Sequence, residues 1–339
     1  MAADAVAPQA RGMTNLIVTA RRFDRGDLVY VAYLVLPLRL FLHLGRPVGW
    51  LEMLLRPRAR RAVRANLEQA FSSAKSRREL SRLTRQVFEY HQMRALMLIV
   101  APLMTARGQL EKHFPIRGVE HLDRALEAGK SAIILGSHIN SMALLLALIQ
   151  LRRAGYPIRV PMPDPYDPWP LTPFRRLIHW LLGAPTVVDS IGGFYARFNV
   201  RPLVRVLTEK SILILMGDGW HSASFVDAEF LGRTLPFTNG PLNLARLTGV
   251  PVVPIFVTGT PDRLEIVFEP AFSVERTDDA QEDVARAVRS YVGRVEQRML
   301  ADIPSWQHWL YDDVFGALEK WRSRSLHERY STVSAAARQ

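Results

Sequence analysis

Residues 132–149 read AIILGSHINSMALLLALI. A short unbroken apolar run ends at Gly136, Ser137 and His138 follow, and apolar residues then return at helix length. A continuous apolar run of about 4–8 residues closed by glycine fits a strand buried on both faces. The stretch therefore predicts a strand, a tight turn and a helix, with one histidine in the turn. Reactive groups in α/β sheets gather at the carboxyl ends of strands. A neutral imidazole there can accept a hydroxyl proton, and the amides of a helix start can stabilise developing negative charge. The plainer alternative for His138 is a hydrogen-bonded turn residue.

The same alternation extends outward. GVEHLDRALEAGK (118–130) is a short amphipathic helix, and SMALLLALIQLRRAG (141–155) is the helix after the histidine. IRVPM (158–162), PTVVD (185–189), SILILMGDG (211–219) and VPVVPIFVTG (250–259) read as strands, the third running into a loop with Asp218. PFRRLIHWLLGA (173–184), VRPLVRVLTEK (200–210) and GPLNLARLTG (240–249) read as the helices between them. RLEIVFEPAF (263–272) alternates like a late strand at a sheet edge, and AQEDVARAVRSYVGRVEQRML (280–300) has apolar positions at helical spacing. Strands alternating with helices of this length predict an α/β fold, with a mostly parallel central sheet flanked by helices. Upstream, residues 77–101 read as a helix stopped by Pro102.

The chain has 339 residues, a net charge of +12 and no cysteine. That length supports a substantial core. Lack of cysteine excludes disulfides, zinc–thiolate sites, iron–sulfur clusters and cysteine nucleophiles. The charge points to polyanionic partners such as anionic lipid or phosphorylated carriers. Nucleic acid is the weaker choice, because the arginines are not interleaved with aromatics in a binding module. No G-x-S-x-G elbow, P-loop, dinucleotide fingerprint or helical histidine pair is present.

Three segments follow from composition: a basic leader and apolar membrane-associating segment (1–55), an α/β domain (56–320) and a polar tail (321–339). The apolar run 28–55 is interrupted by Pro37, Arg39, His43, Arg46 and Pro47. A bilayer span needs about 20 largely apolar residues, so an interfacial helix or shallow tilted anchor fits the run better. Arg56, Arg58, Arg60, Arg61 and Arg64 follow at once. Such a cluster beside an apolar anchor suits anionic headgroups, although most charge runs are only solvated helix faces.

GVEHLDRALEAGKSAIILGSHINSMAL (118–144) resembles the start of the acyltransferase core of the lipid A lauroyl/myristoyl acyltransferases, within the glycerophosphate acyltransferase-like superfamily. RRAVRANLEQAF (60–71), the aspartate-bearing stretch 206–257 and the tryptophan-bearing IPSWQHWLYD (303–312) extend the resemblance over roughly residues 55–315. It implies transfer of a fatty acyl group from acyl carrier protein or coenzyme A to a hydroxyl or amine of an amphipathic acceptor. The place implied is the cytoplasmic face of the bacterial inner membrane, with peripheral or single-anchor attachment and no metal or tightly held cofactor.

The family pattern is H-x-x-x-x-D/E, in which the histidine takes the acceptor's proton and the carboxylate holds the imidazole. His138 matches the histidine, but the acid position is Ala143. Three outcomes stand open: Asp218 supplies the missing carboxylate, with Ser141 or Asn140 as weaker ring supports; the enzyme works without it; or the chain has become a binding protein for lipid, carrier or a partner enzyme. Asn140 and Ser141 are also candidate substrate contacts. Arg175 and Arg176 are candidate phosphate ligands, and His221 is a possible second proton acceptor. Gly232 and Thr238 are candidates to shape the loop over the acyl site, with turn chemistry as their plainer role. Asp312 and Asp313 stand where the family tends to be basic, which argues against a standard lipid A precursor as acceptor.

Overall fold

The computed structural model describes residues 25–127, 130–162, 172–184, 191–195, 200–219 and 224–316. The leader before residue 25, the expected strand 185–189, His221 and the tail from 317 lie outside the described residues.

Among the described residues the centre is a seven-stranded sheet of β1 (Ile116–Arg117), β2 (Ala132–Gly136), β3 (Ile158–Met162), β4 (Gly193–Tyr195), β5 (Ile212–Met216), β8 (Val252–Thr258) and β9 (Glu265–Phe268). Their order is β1-β9-β8-β2-β5-β3-β4. Neighbouring strands run parallel except β8 and β9. The expectation of a mostly parallel sheet thus agrees with the structure. The strand from 263–272 was expected at an edge, but β1 lies outside it and is too short to show a periodic signal.

Every residue of β2 is buried. The strand pleat sends Ile133 and Leu135 to one core and Ala132 and Ile134 to the other. The first core packs against the long helix Ala280–Ala301, and the second against α8 (Ser141–Arg153) and the end of α5 (Arg77–Ala106). Two-sided coverage is why AIILG carries no polar alternation. Helix α5 starts at a Ser76/Glu79 capping box and continues through Pro102, beyond its expected stop. The proline forfeits one helical hydrogen bond, while burial of Val100–Met104 holds the last turn in place.

Segment 28–55 is broken into α1 (Arg25–Val35), α2 (Leu38–His43) and α3 (Gly45–Leu55). Among the described residues no helix is long and apolar enough to cross a membrane. Helix α3 lies hard against α5. A Cβ on Gly45 would fall 2.5 Å from the Met93 amide nitrogen, and one on Gly49 would fall 2.5 Å from the Phe88 carbonyl oxygen. Two glycines four apart let the backbones approach this closely.

The stretch around Gly232 is not a loop over the sheet. It is an antiparallel hairpin of β6 (Phe225–Phe230) and β7 (Arg233–Thr238). Its two turn residues, Leu231 and Gly232, have φ of 54° and 69°, the pattern of a two-residue primed turn.

Candidate active site

Strands β2 and β5 pair in parallel from Ala132↔Ile212 to Gly136↔Met216. A constant offset of 80 residues also sets His138 abreast of Asp218, each two residues past its strand. Glycines permit the close turns. A Cβ on Gly217 would collide with the Tyr291 ring, whose hydroxyl donates to the Gly136 carbonyl at 2.7 Å.

His138 Nδ1 lies 2.8 Å from Asp218 Oδ1, and the His138 amide donates to both carboxylate oxygens at 3.0 and 2.8 Å. Trp306 Nε1 donates to Asp218 Oδ2 at 3.2 Å, and His308 Nε2 lies 3.1 Å from the Asp218 carbonyl oxygen. The His308 ring lies 4.3 Å from that of His138, centroid to centroid. Burial alone would raise the Asp218 carboxyl. The charge and hydrogen bond of His138, helped by His308, outweigh it and bring the group down to about 2. An ionised Asp218 accepts the Nδ1 proton and leaves the Nε2 lone pair of His138 free to accept another.

The turn bearing His138 is pinned from below. Asn140 sits in the left-handed region at φ 47°, which asparagine tolerates. Its Oδ1 accepts from Arg94 Nη1 at 3.0 Å, and its Nδ2 donates to the carbonyls of Val257 and Gly259. Arg94 Nη1 also donates to the Ser305 carbonyl at 2.7 Å, and the Asn140 amide donates to that oxygen at 2.9 Å. Burial lowers the Arg94 guanidinium to about 10, with Asp302 opposing.

In front of His138 opens a cleft of about 410 Å³, walled by Leu144, Leu145, Leu148, Val160, Ile214 and Met216. Its size falls in the range of about 300–1,000 Å³ typical of ligand sites. Ser141 stands at the cleft and donates its hydroxyl to Gln307 Oε1.

The other sequence candidates fall elsewhere. Asn140 is fully buried and holds the turn, so it is not a substrate contact. Arg175 is buried against Asp27 of α1, with Nε 3.1 Å from Oδ1, and does not line the cleft. Its charge is already used to fasten α9 (Pro173–Leu182) to α1. Arg176 is exposed on the same helix. Gly232 is an exposed turn residue, and Thr238 is buried at the end of β7. The segment 305–308 supplies site residues without a role assigned from sequence: Trp306 and His308 at Asp218, Gln307 at Ser141 and the Ser305 carbonyl at Arg94. Only its unusual density of tryptophan and histidine hinted at a site. His138, Asp218 and His308 also set one ligand atom each within 4.8 Å of the others, a spacing that suits a metal ion. The Asp218 oxygens are already engaged by N–H donors, and an ion would have to displace them.

The sequence model for bacterial lipid A biosynthesis acyltransferases matches residues 26–312. The chain belongs to this family. Within this lipid acyltransferase family, the chain carries Ala143 five residues after His138, buried in the apolar core. Among solved structures the acyltransferase-family chain is similar to the 1-acyl-sn-glycerophosphate (LPA) acyltransferase PlsC from Thermotoga maritima. That likeness has 15% identity and a TM-score of 0.36 over 78% of this chain and 97% of the other. No curated protein matches the chain.

Proposed function

We propose that this family member transfers a fatty acyl group from an acyl thioester, carried by acyl carrier protein or coenzyme A, to a hydroxyl or amine of an amphipathic acceptor at a membrane surface. One observation carries the proposal: His138 is bonded through Nδ1 to buried Asp218 and lines an apolar cleft. His138 Nε2 accepts the acceptor's proton as its oxygen or nitrogen attacks the thioester carbonyl. The oxyanion so formed is held by first-turn amides of α8, where Asn140 provides no side-chain cap. Collapse expels the thiolate, which takes the proton back from His138. Leu144, Leu148 and Ile214 shelter the acyl chain. Asp218 holds the tautomer in place of the acid missing at position 143.

Membrane attachment is part of the same proposal, at the cytoplasmic face of the bacterial inner membrane. Among the described residues, ten of the eighteen exposed large apolar side chains lie between 28 and 55, and four more lie on α9. Helices α1 and α9 are fastened together by Arg175–Asp27 and by Tyr30–His179 at 2.9 Å. A concentration of this kind marks an interaction surface, here fitted to lie in an interface rather than to span it.

The second reading, a relative that binds lipid or carrier without catalysis, draws on Ala143. Release of thiol from long-chain acyl-CoA and acyl carrier protein, with an amphipathic alcohol as acceptor, separates the two. Wild type should turn over and His138→Ala should not. Equal background rates for both would leave only the binding role.

A further inference from the structure

A second cleft, sharing no lining residue with the first, has a volume of about 600 Å³. Arg60, Arg61 and Arg64 from α4 (Pro57–Phe71) face Arg77 and Ser81 from the start of α5 across it. Arg64 is held by Glu68 at 2.6 Å, by Ser81 Oγ at 2.7 Å and by the Arg77 carbonyl at 3.1 Å. Glu68 is the one acid in the lining and is taken by Arg64. Among the described residues Arg60, Arg61 and Arg77 have no carboxylate partner, so the cleft keeps an excess of three positive charges.

This arrangement works against helix stability. The positive end of a helix dipole favours acids, yet the first turn of α4 holds Arg58 and Arg60, no acid and no side-chain cap. Helix α5 likewise opens with Arg77 and Arg78, relieved only by Glu79 of its capping box. Cations gathered at two helix N-termini lose local stability, and a bound anion would recover it.

We propose that this cleft binds the phosphate of an anionic lipid headgroup, apart from the acyl-transfer centre. Arginine forks suit phosphate oxygens. A lipid source is favoured over a free anion by what adjoins the cleft. Met53 lines it, and α3 exposes Trp50, Leu51, Leu54 and Leu55 one residue before α4 begins. The phosphate would sit among the arginines with its chains along α3. This inference rests on the membrane-surface part of the proposed function and not on its chemistry.

The test is co-sedimentation of the full chain with phosphatidylcholine vesicles, with and without phosphatidic acid. Wild type should prefer the phosphatidic acid vesicles. Arg60→Gln/Arg77→Gln should weaken that binding by roughly twentyfold to thirtyfold, the effect of about two basic residues at a charged surface. The charge-matched Arg205→Gln/Arg289→Gln variant, altered at exposed arginines elsewhere, should bind like wild type. Equal losses in the two double variants, or none in either, overturn the site. Thermal protection by inorganic pyrophosphate with no vesicle preference overturns the lipid as occupant. Loss of acyl carrier protein binding in Arg60→Gln/Arg77→Gln, with vesicle binding kept, reassigns the cleft to that protein. His138→Ala should bind vesicles normally, which keeps failure of this site distinct from failure of the catalytic proposal.

Discussion

At the scale of single residues, the chain has Ala143 five positions after His138, and the carboxylate that meets the imidazole, proposed to do the work of the motif acid, is Asp218 beyond the neighbouring strand. Asp218 reaches His138 because the two strands are in register, and Trp306 and His308 hold it. Restoring an acid at position 143 should therefore not help. Ala143 is buried among apolar side chains, and an unpaired carboxylate there costs stability. Ala143→Glu should show a lower melting temperature and no gain in thioester turnover. A large gain would show that Asp218 does not fill the role. Asp218 also makes an acid-stability prediction. Its folded-state value, about 2, lies below the ordinary 3.8. The contribution is thus present above pH 3.8 and is lost as pH falls through 2, about 2 kcal/mol in all. Melting curves from pH 5 to 2 should show this loss in wild type and not in Asp218→Asn. The histidine was legible from its place between strand and helix, and Asp218 from its place at a strand end. Their partnership was one of three outcomes the sequence left open, because sequence does not state which strands adjoin. Arg175 misled for the converse reason: an arginine after a strand looks like a ligand until Asp27, 148 positions away in the chain, is found against it.

At the scale of elements, the strands and helices of the core announced themselves through apolar length and glycine stops. The described parts of that pattern fall where expected. The β6–β7 hairpin escaped because Leu231-Gly232 is a weak turn signal, with leucine in a left-handed conformation that asparagine normally takes. The α3–α5 contact escaped because two glycines in an apolar run give no hint of what lies against them. It makes a prediction of its own: Gly49→Ala should force α3 away from Phe88 and cost about 1–3 kcal/mol. Denaturant unfolding will measure it, and an unchanged midpoint would contradict the packing described.

For the whole molecule, the proposed membrane attachment has two parts, the exposed apolar side chains of α1–α3 and α9 and the arginines of α4. The apolar part should act without charge. Trp180→Ser, at a side chain 77% exposed, should weaken binding to neutral phosphatidylcholine vesicles by roughly tenfold or more and leave unfolding unchanged. Full binding by the variant would contradict a role for α9. The apolar composition of 28–55 was plain in the sequence, but its division into three helices depends on Pro37 and on packing against α5.

The proposed acyl transfer turns on Asp218 orienting His138, and single-turnover thioester cleavage by Asp218→Asn measures that most directly. The expected result is a rate on the order of 10²–10⁴-fold below wild type, with vesicle binding and substrate affinity unchanged. Cleavage at the wild-type rate would contradict it.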